Sequence, residues 1–149
     1  MSTSKTASCL CGSVKLNIEG KPVRTNLCHC TSCQKVTGSF CGAYAVFSFG
    51  QVTITSPSEM LRTYEDTSPE SGRVIERSFC GRCGSLVIAQ QRQAGKYRAV
   101  PIGIIDGPKN EFRPQMELFC VHRASWLGPV EGATTFERMQ TAPEPAAAK

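Results

Sequence analysis

The sequence contains no run of about 18 apolar residues, so no helix in it is expected to span a membrane. Its first residues, Met1 to Lys5, lead towards Cys9 without an apolar stretch. That argues against a secretory signal peptide and for a cytoplasmic protein. Like charges are not blocked together. Lys and Arg number 17 against 12 Asp and Glu, but Arg62, Arg73, Arg77, Arg82, Arg92, Lys96 and Arg98 are scattered. Without a basic stripe, nucleic acid is not expected as a partner, and the mild positive charge suits small anions. There is no internal repeat. Apolar residues make up only 40% of the chain, enough for one modest core in a single domain of 149 residues. A core that thin calls for a second source of stability.

What the chain does have is cysteine, nine in all. Cys28, Cys30 and Cys33 stand at C-x-C-x-x-C spacing on what reads as a tight turn. A disulfide cannot use all three, and C-x-C partners are too close for an unstrained bridge. A metal can use all three, since zinc accepts thiolates at about 2.3 Å. Three protein ligands leave a tetrahedral ion one short, the usual arrangement of a catalytic zinc. Cys9 and Cys11 form a second C-x-C pair, and Cys80 and Cys83 a C-x-x-C pair. Reduced, clustered cysteines in a protein that is not secreted favour metal over disulfides. Seven motif cysteines divide naturally as four and three, with Cys9, Cys11, Cys80 and Cys83 in a closed structural site. Spacing alone leaves other partitions open; Cys9, Cys11, Cys28 and Cys30 could share one ion.

Most other segments read as short strands. Ser13–Ile18 alternates polar and apolar residues. Val23–Leu27 delivers the chain to the Cys28 turn, and Gln34–Val36 forms one helical turn that Gly38 stops. Phe40–Phe49 and Val52–Thr55, joined at Gly50-Gln51, read as a hairpin. Leu61–Tyr64, Arg73–Phe79, Leu86–Gln91, Tyr97–Ile105 and Met116–Val121 are further strand candidates, with a polar loop over residues 65–72. The expected architecture is mainly β: residues 1–138 as one zinc-binding domain of short antiparallel strands, and 139–149 as a disordered Pro/Ala tail.

The order of the motifs is specific. Cys9-Leu-Cys11-Gly12, then Cys28-His-Cys30-Thr-Ser-Cys33-Gln-Lys-Val-Thr37-Gly38, then Phe79-Cys80-Gly-Arg-Cys83-Gly84 resembles the glutathione-dependent formaldehyde-activating enzyme family, which also includes centromere protein V. The resemblance runs from about Ala7 to Trp126. It implies a zinc-stapled β-tent fold with two zinc ions. One is structural, held by the residues matching Cys9, Cys11, Cys80 and Cys83, and one is catalytic, held by those matching Cys28, Cys30 and Cys33. It further implies a carbon–sulfur lyase acting on a small thiol, such as glutathione, and a small electrophile of the aldehyde type. One departure is visible: where the family often has Pro-x-x-His-Ile, this chain has Pro114-Gln-Met-Glu117-Leu118.

Three thiolates and Zn²⁺ sum to one negative charge, a centre suited to activating an incoming thiolate. Zinc-activated water acting on another small substrate is an alternative. A non-catalytic zinc-stapled interaction module is the rival reading. Glu117 is a candidate general acid/base beside the open site, or else a solvated strand glutamate. His29 is expected not to be a ligand, and His122 to be a surface histidine. Trp126 is expected in the core, and Cys41 and Cys120 as small buried hydrophobes. Arg123 could clamp a carboxylate.

Overall fold

In the computed structural model, residues 3–93 and 95–140 are described. Among the described residues eleven strands form two sheets, and there is one short α-helix. A small antiparallel sheet contains β1 (Ser4–Ser8), β2 (Lys15–Glu19) and β5 (Val52–Ile54), in the order β1-β2-β5. The large sheet draws on β3 (Arg24–Cys28), β4 (Gly42–Ser48), β6 (Leu61–Asp66), β7 (Ile75–Cys80), β8 (Leu86–Gln91), β9 (Tyr97–Pro101), β10 (Met116–Leu118) and β11 (Thr134–Thr135). Its order is β11-β10-β3-β4-β9-β8-β7-β6. The helix α1 (Thr31–Thr37) follows β3 directly.

The main core lies where the two sheets meet. On β2, Leu16 and Ile18 are buried while Lys15 and Glu19 are exposed, the alternation the sequence predicts. They pack with Ala45 and Phe47 of β4, Val100 of β9, and Val52 and Ile105. On β8 the register shifts opposite Ser78 and Phe79. This bulge lets Val87 and Ile88 both join that core, while Leu86 and Ala89 serve the other face of the large sheet. A second cluster on that other face contains Cys28, Cys30, Cys33, Tyr44, Met116, Leu118 and Phe119. β4 is thus buried on both sides, which explains its nearly unbroken apolar run.

Several strand expectations are corrected. β4 and β5 are not a hairpin: β4 pairs with β3 and β9, and β5 pairs with β2 in the other sheet. The 3-10 turn Phe49–Gln51 swings the chain between sheets, fixed by Gln51, whose side chain donates to the carbonyls of Glu19 and Lys21. The strands are not all antiparallel, because β10 runs parallel to both β3 and β11. The strand expected over Tyr97–Ile105 ends at Pro101 and gives way to a 3-10 turn over Ile102–Ile104. The one expected over Met116–Val121 ends at Leu118, since Phe119 takes φ 55°. β1, Ser-Lys-Thr-Ala-Ser, carries no hydrophobic signal and is held by pairing with β2 and by Thr6 Oγ1 donating to Asp106. Met139 and Gln140, assigned in sequence to the tail, line a cleft; the rest of the expected tail, 141–149, lies outside the described residues. Among the described residues no helix is long and apolar enough to cross a membrane.

Candidate metal centres and the adjoining cleft

Two turns from different sheets bring four cysteines together. Cys9 and Cys11 lie on the β1–β2 turn, and Cys80 and Cys83 on the β7–β8 turn, where Gly12 and Gly84 adopt φ 75° and 76°. All four Sγ atoms lie within 4.8 Å of one another. Cys11 Sγ is 3.6 Å from Cys9 Sγ and 3.7 Å from Cys80 Sγ. A tetrahedron of sulfurs about 2.3 Å from a central ion has edges of about 3.8 Å, so the spacing fits one metal. No disulfide forms; all nine cysteines are free thiols. Backbone N–H groups point at the sulfurs: Val14 to Cys9 at 3.2 Å, and Arg82 and Cys83 to Cys80 at 3.4 and 3.5 Å. The two bonds to Cys80 work to lower its thiol, yet burial and hydrogen bonding with Cys9 and Cys83 leave it above its ordinary value. Hydrogen bonds to the Ser85 side chain and backbone lower the Cys83 thiol to about 5.

The other three motif cysteines meet at the C-terminal end of β3. Cys28 is its last residue, Cys30 is the N-cap of α1, and Cys33 lies in the first turn. Cys30 Sγ accepts the Cys33 N–H at 3.3 Å, the role a Ser or Asp oxygen often fills. Gln34 Nε2 donates to the carbonyls of His29 and His122, pinning the turn from behind. These three Sγ atoms also lie within 4.8 Å of one another, and all three residues are buried. Hydrogen bonds from Cys28 and Cys33 pull the Cys30 thiol down to about 2. The same bonds, with burial, push Cys28 strongly up. Three sulfurs this close could share one divalent cation as thiolates, the cation offsetting their mutual repulsion. Tyr44 donates its hydroxyl to Cys33 Sγ at 3.8 Å. Its ring lies over Gly42, where a Cβ would come within 2.4 Å of Tyr44 Cε2.

The three cysteines line a cleft of about 620 Å³, together with Tyr44, Arg77 and Leu118. Pro69, Glu70, Ser71 and Met139 also line it. Glu70 is held by His122 Nε2 at 2.5 Å and Arg138 Nη1 at 2.6 Å, and Ser68 Oγ is 3.4 Å from Ser32 Oγ.

Glu117 does not face this cleft. Strand alternation turns it to the reverse side of β10 from Leu118, and it is fully buried. His29, between two cysteines, also turns that way, and its Nε2 lies 2.9 Å from Glu117 Oε1. Glu117 Oε2 accepts the Val130 N–H at 2.9 Å and lies 3.3 Å from Arg123. Burial works to raise the Glu117 carboxyl, yet the bonds from His29 and Val130 and the charge of Arg123 outweigh it and hold it below its ordinary value. The expected acid/base beside the open site, or solvated glutamate, is therefore a buried anion behind the cysteine turn. Arg123, expected as a candidate clamp for a carboxylate, is not among the residues lining the cleft and faces the buried Glu117 carboxylate instead. Trp126 is not in the core but is 66% exposed, edge-on to Phe40 at 4.5 Å. Cys41 and Cys120 are half-buried rather than buried, and Arg123 Nη2 donates to Cys120 Sγ. Tyr44 and Arg77 were missed as cleft residues. Their signal is parity along β4 and β7, readable only once the cross-strand register is known.

A sequence profile described as "Glutathione-dependent formaldehyde-activating enzyme" matches residues 4–122, a span that includes every cysteine of both clusters. The chain belongs to this family. No curated protein matches it. Among solved structures it is similar to the crystal structure of a Rhodobacter sphaeroides protein from structural genomics. That similarity has a TM-score of 0.56 at 20% identity, covering 69% of this chain and 89% of the other, and it speaks to the fold. Family membership and two cysteine clusters able to hold a metal describe an enzyme that acts on small molecules.

Proposed function

We propose that the protein is a zinc-dependent carbon–sulfur lyase that joins a small thiol, such as glutathione, to a small aldehyde, and reverses that reaction. The observation carrying this reading is the contrast between the two clusters. Four sulfurs complete a tetrahedral donor set away from the cleft, whereas three sulfurs, one short of a set, line it. All-sulfur donors at these spacings suit zinc. Cys9, Cys11, Cys80 and Cys83 would hold a structural ion, and Cys28, Cys30 and Cys33 a catalytic one. Zinc held by Cys28, Cys30 and Cys33 would supply a Lewis acid that lowers the pKa of an incoming thiol.

The remaining work belongs to the chain. In the forward direction the thiol gives up its proton to solvent, its sulfur bonds to the carbonyl carbon as the carbon–oxygen π bond breaks, and the oxygen takes one proton back to become a hydroxyl, so that no proton is gained or lost overall. Tyr44 is suited to face that oxygen, because burial and then the nearby Cys33 push its hydroxyl up and keep it protonated. Leu118, Phe119 and Met139 bring apolar surface to the cleft and limit competing water. His29 and Glu117 act as positioning residues, tying the cysteine turn to β10 from behind. The test uses reduced, zinc-loaded protein mixed with glutathione and formaldehyde, following the S-hydroxymethyl adduct by NMR exchange. Adduct exchange faster than in buffer is expected. No acceleration with any thiol and aldehyde pair would overturn the reaction assigned here.

A further inference from the structure

The β6–β7 loop leaves one end of the large sheet and makes polar contacts with residues that belong to the other. In the strand order, β3 and β10 lie at least four places from β7 and β6. Yet Glu70, on that loop, meets His122 Nε2 with Oε1 at 2.5 Å and accepts from Arg138 Nη1 with Oε2 at 2.6 Å. Ser68 Oγ lies 3.4 Å from the hydroxyl of Ser32, on the cysteine turn itself. His122 ends the 3-10 turn Cys120–His122 just beyond β10. Arg138 is fixed beside it, because the carbonyls of Phe136, Glu137 and Arg138 accept the N–H groups of Cys120, Val121 and Phe119. Pro69, Glu70 and Ser71 line the cleft between Arg77 of β7 on one side and Leu118 and Met139 on the other. The loop thus joins the two walls of the cleft.

What holds the loop there is polar and little else. Residues 67–72, Thr-Ser-Pro-Glu-Ser-Gly, contain one apolar side chain, Pro69, and none of the six is buried. The two ends are fixed. Asp66 is buried, takes Arg77 Nε at 2.8 Å, and accepts the Ser68 N–H and hydroxyl at 3.0 and 2.6 Å. Gly72, at φ 71°, closes a turn by donating its N–H to the Pro69 carbonyl. A segment with few buried apolar contacts opens at low cost in free energy. An exposed ion pair contributes about 1 kcal/mol or less. Glu70 makes one such pair, with Arg138, and one hydrogen-bonded contact, with His122. That is enough to favour the fastened loop and little enough to release it, as a loop that gates a site requires.

We propose that residues 67–72 form a strap over the cleft, fastened by Glu70 to His122 and Arg138, and that unfastening it admits ligands to the three cysteines. Such a strap gates the cleft whatever reaction the cysteines serve. A bland role is the competitor: Glu70 could merely staple the segment around Arg138 to the surface, with no effect on access.

The experiment alkylates the reduced full chain, in its purified metal state, with N-ethylmaleimide. Mass spectrometry follows the peptide bearing Cys28, Cys30 and Cys33 against the one bearing Cys9 and Cys11, which belong to the other cluster and report any general loosening. Amide hydrogen exchange is measured over residues 67–72 and 136–138. The variants are Glu70→Ala, Arg138→Ala and the two combined. Glu70→Ala should speed alkylation of the cleft cysteines by roughly three- to tenfold and quicken exchange over 67–72, with the Cys9 and Cys11 peptide unchanged. Arg138→Ala should do less, since His122 still holds Glu70, and the combined variant should be no faster than Glu70→Ala, because both remove one clasp. Glu70→Gln, which keeps the shape and loses the charge, should fall between wild type and Glu70→Ala, and it carries the test should Glu70→Ala not fold. If alkylation of the cleft cysteines is unchanged, the proposal falls. It falls too if both peptides speed up together, or if exchange rises over 136–138 and not over 67–72, the signature of a plain staple.

Discussion

Gly42, Tyr44 and Cys33 form a contact chain in which the smallest residue decides the most. A methyl group at position 42 would sit 2.4 Å from the Tyr44 ring, and both residues are buried. Gly42→Ala is expected to push Tyr44 off Cys33 and to lower stability by about 1–3 kcal/mol, the usual cost of overpacking. Tyr44→Phe removes only the hydroxyl. It should keep the melting temperature nearly unchanged while altering the cobalt–thiolate spectrum of the three-cysteine site; an unaltered spectrum would remove Tyr44 from the site. Glu117 makes a pH prediction at the same scale. Its folded pKa lies below the ordinary 4.5, so its stabilisation is fully present above the unfolded value and is lost as pH falls through the folded one. Glu117→Gln should destabilise the protein at neutral pH by roughly 3 kcal/mol, because Arg123 loses its buried partner. The difference from wild type should shrink as pH drops below 4.5, a trend that thermal melts against pH will follow. A difference that grows on acidification would contradict the ion-pair account.

At the scale of elements, the alanines of β8 and β9 matter because the cleft exists only where side chains are small. Ala99→Leu should fill the floor between Val46 and Ala89 and abolish ligand binding measured by calorimetry, while the core on the other face stays packed. Undiminished binding in that variant would move the ligand elsewhere in the cleft. The same scale shows what was readable in advance. The cysteine motifs were legible because each cysteine turn is local, and the Gly38 stop of α1 and the alternation of β2 are local too. The pairing of β4 was not, since Gln51 and the distant β2 decide where the chain goes after Phe49. β1 escaped notice because an edge strand held by backbone pairing needs no apolar side chains. Arg77 was one scattered arginine among several until register across five strands, β3-β4-β9-β8-β7, put it in one row with Arg24. Glu117 carried the right chemistry for an acid/base, but strand parity put it on the wrong face.

Over the whole molecule, the two cysteine clusters differ in how much chain they join. The four-cysteine site bridges the β1–β2 turn of the small sheet and the β7–β8 turn of the large one, closing a loop of about 70 residues. Its ion would clamp the sheets together over the main core, so metal binding there is folding free energy. The three-cysteine site spans six consecutive residues, Cys28 to Cys33, and ties together little chain. Exposure of the holo protein to a mild chelator should therefore strip the cleft site before the sheet-bridging one. The most direct test of this division is the thermal melt of zinc-loaded, reduced Cys80→Ser beside that of Cys30→Ser. The account predicts that Cys80→Ser unfolds or melts far below wild type, whereas Cys30→Ser melts close to it. A Cys30→Ser protein that unfolds while Cys80→Ser stays folded would show that the structural and catalytic sites have been assigned the wrong way round.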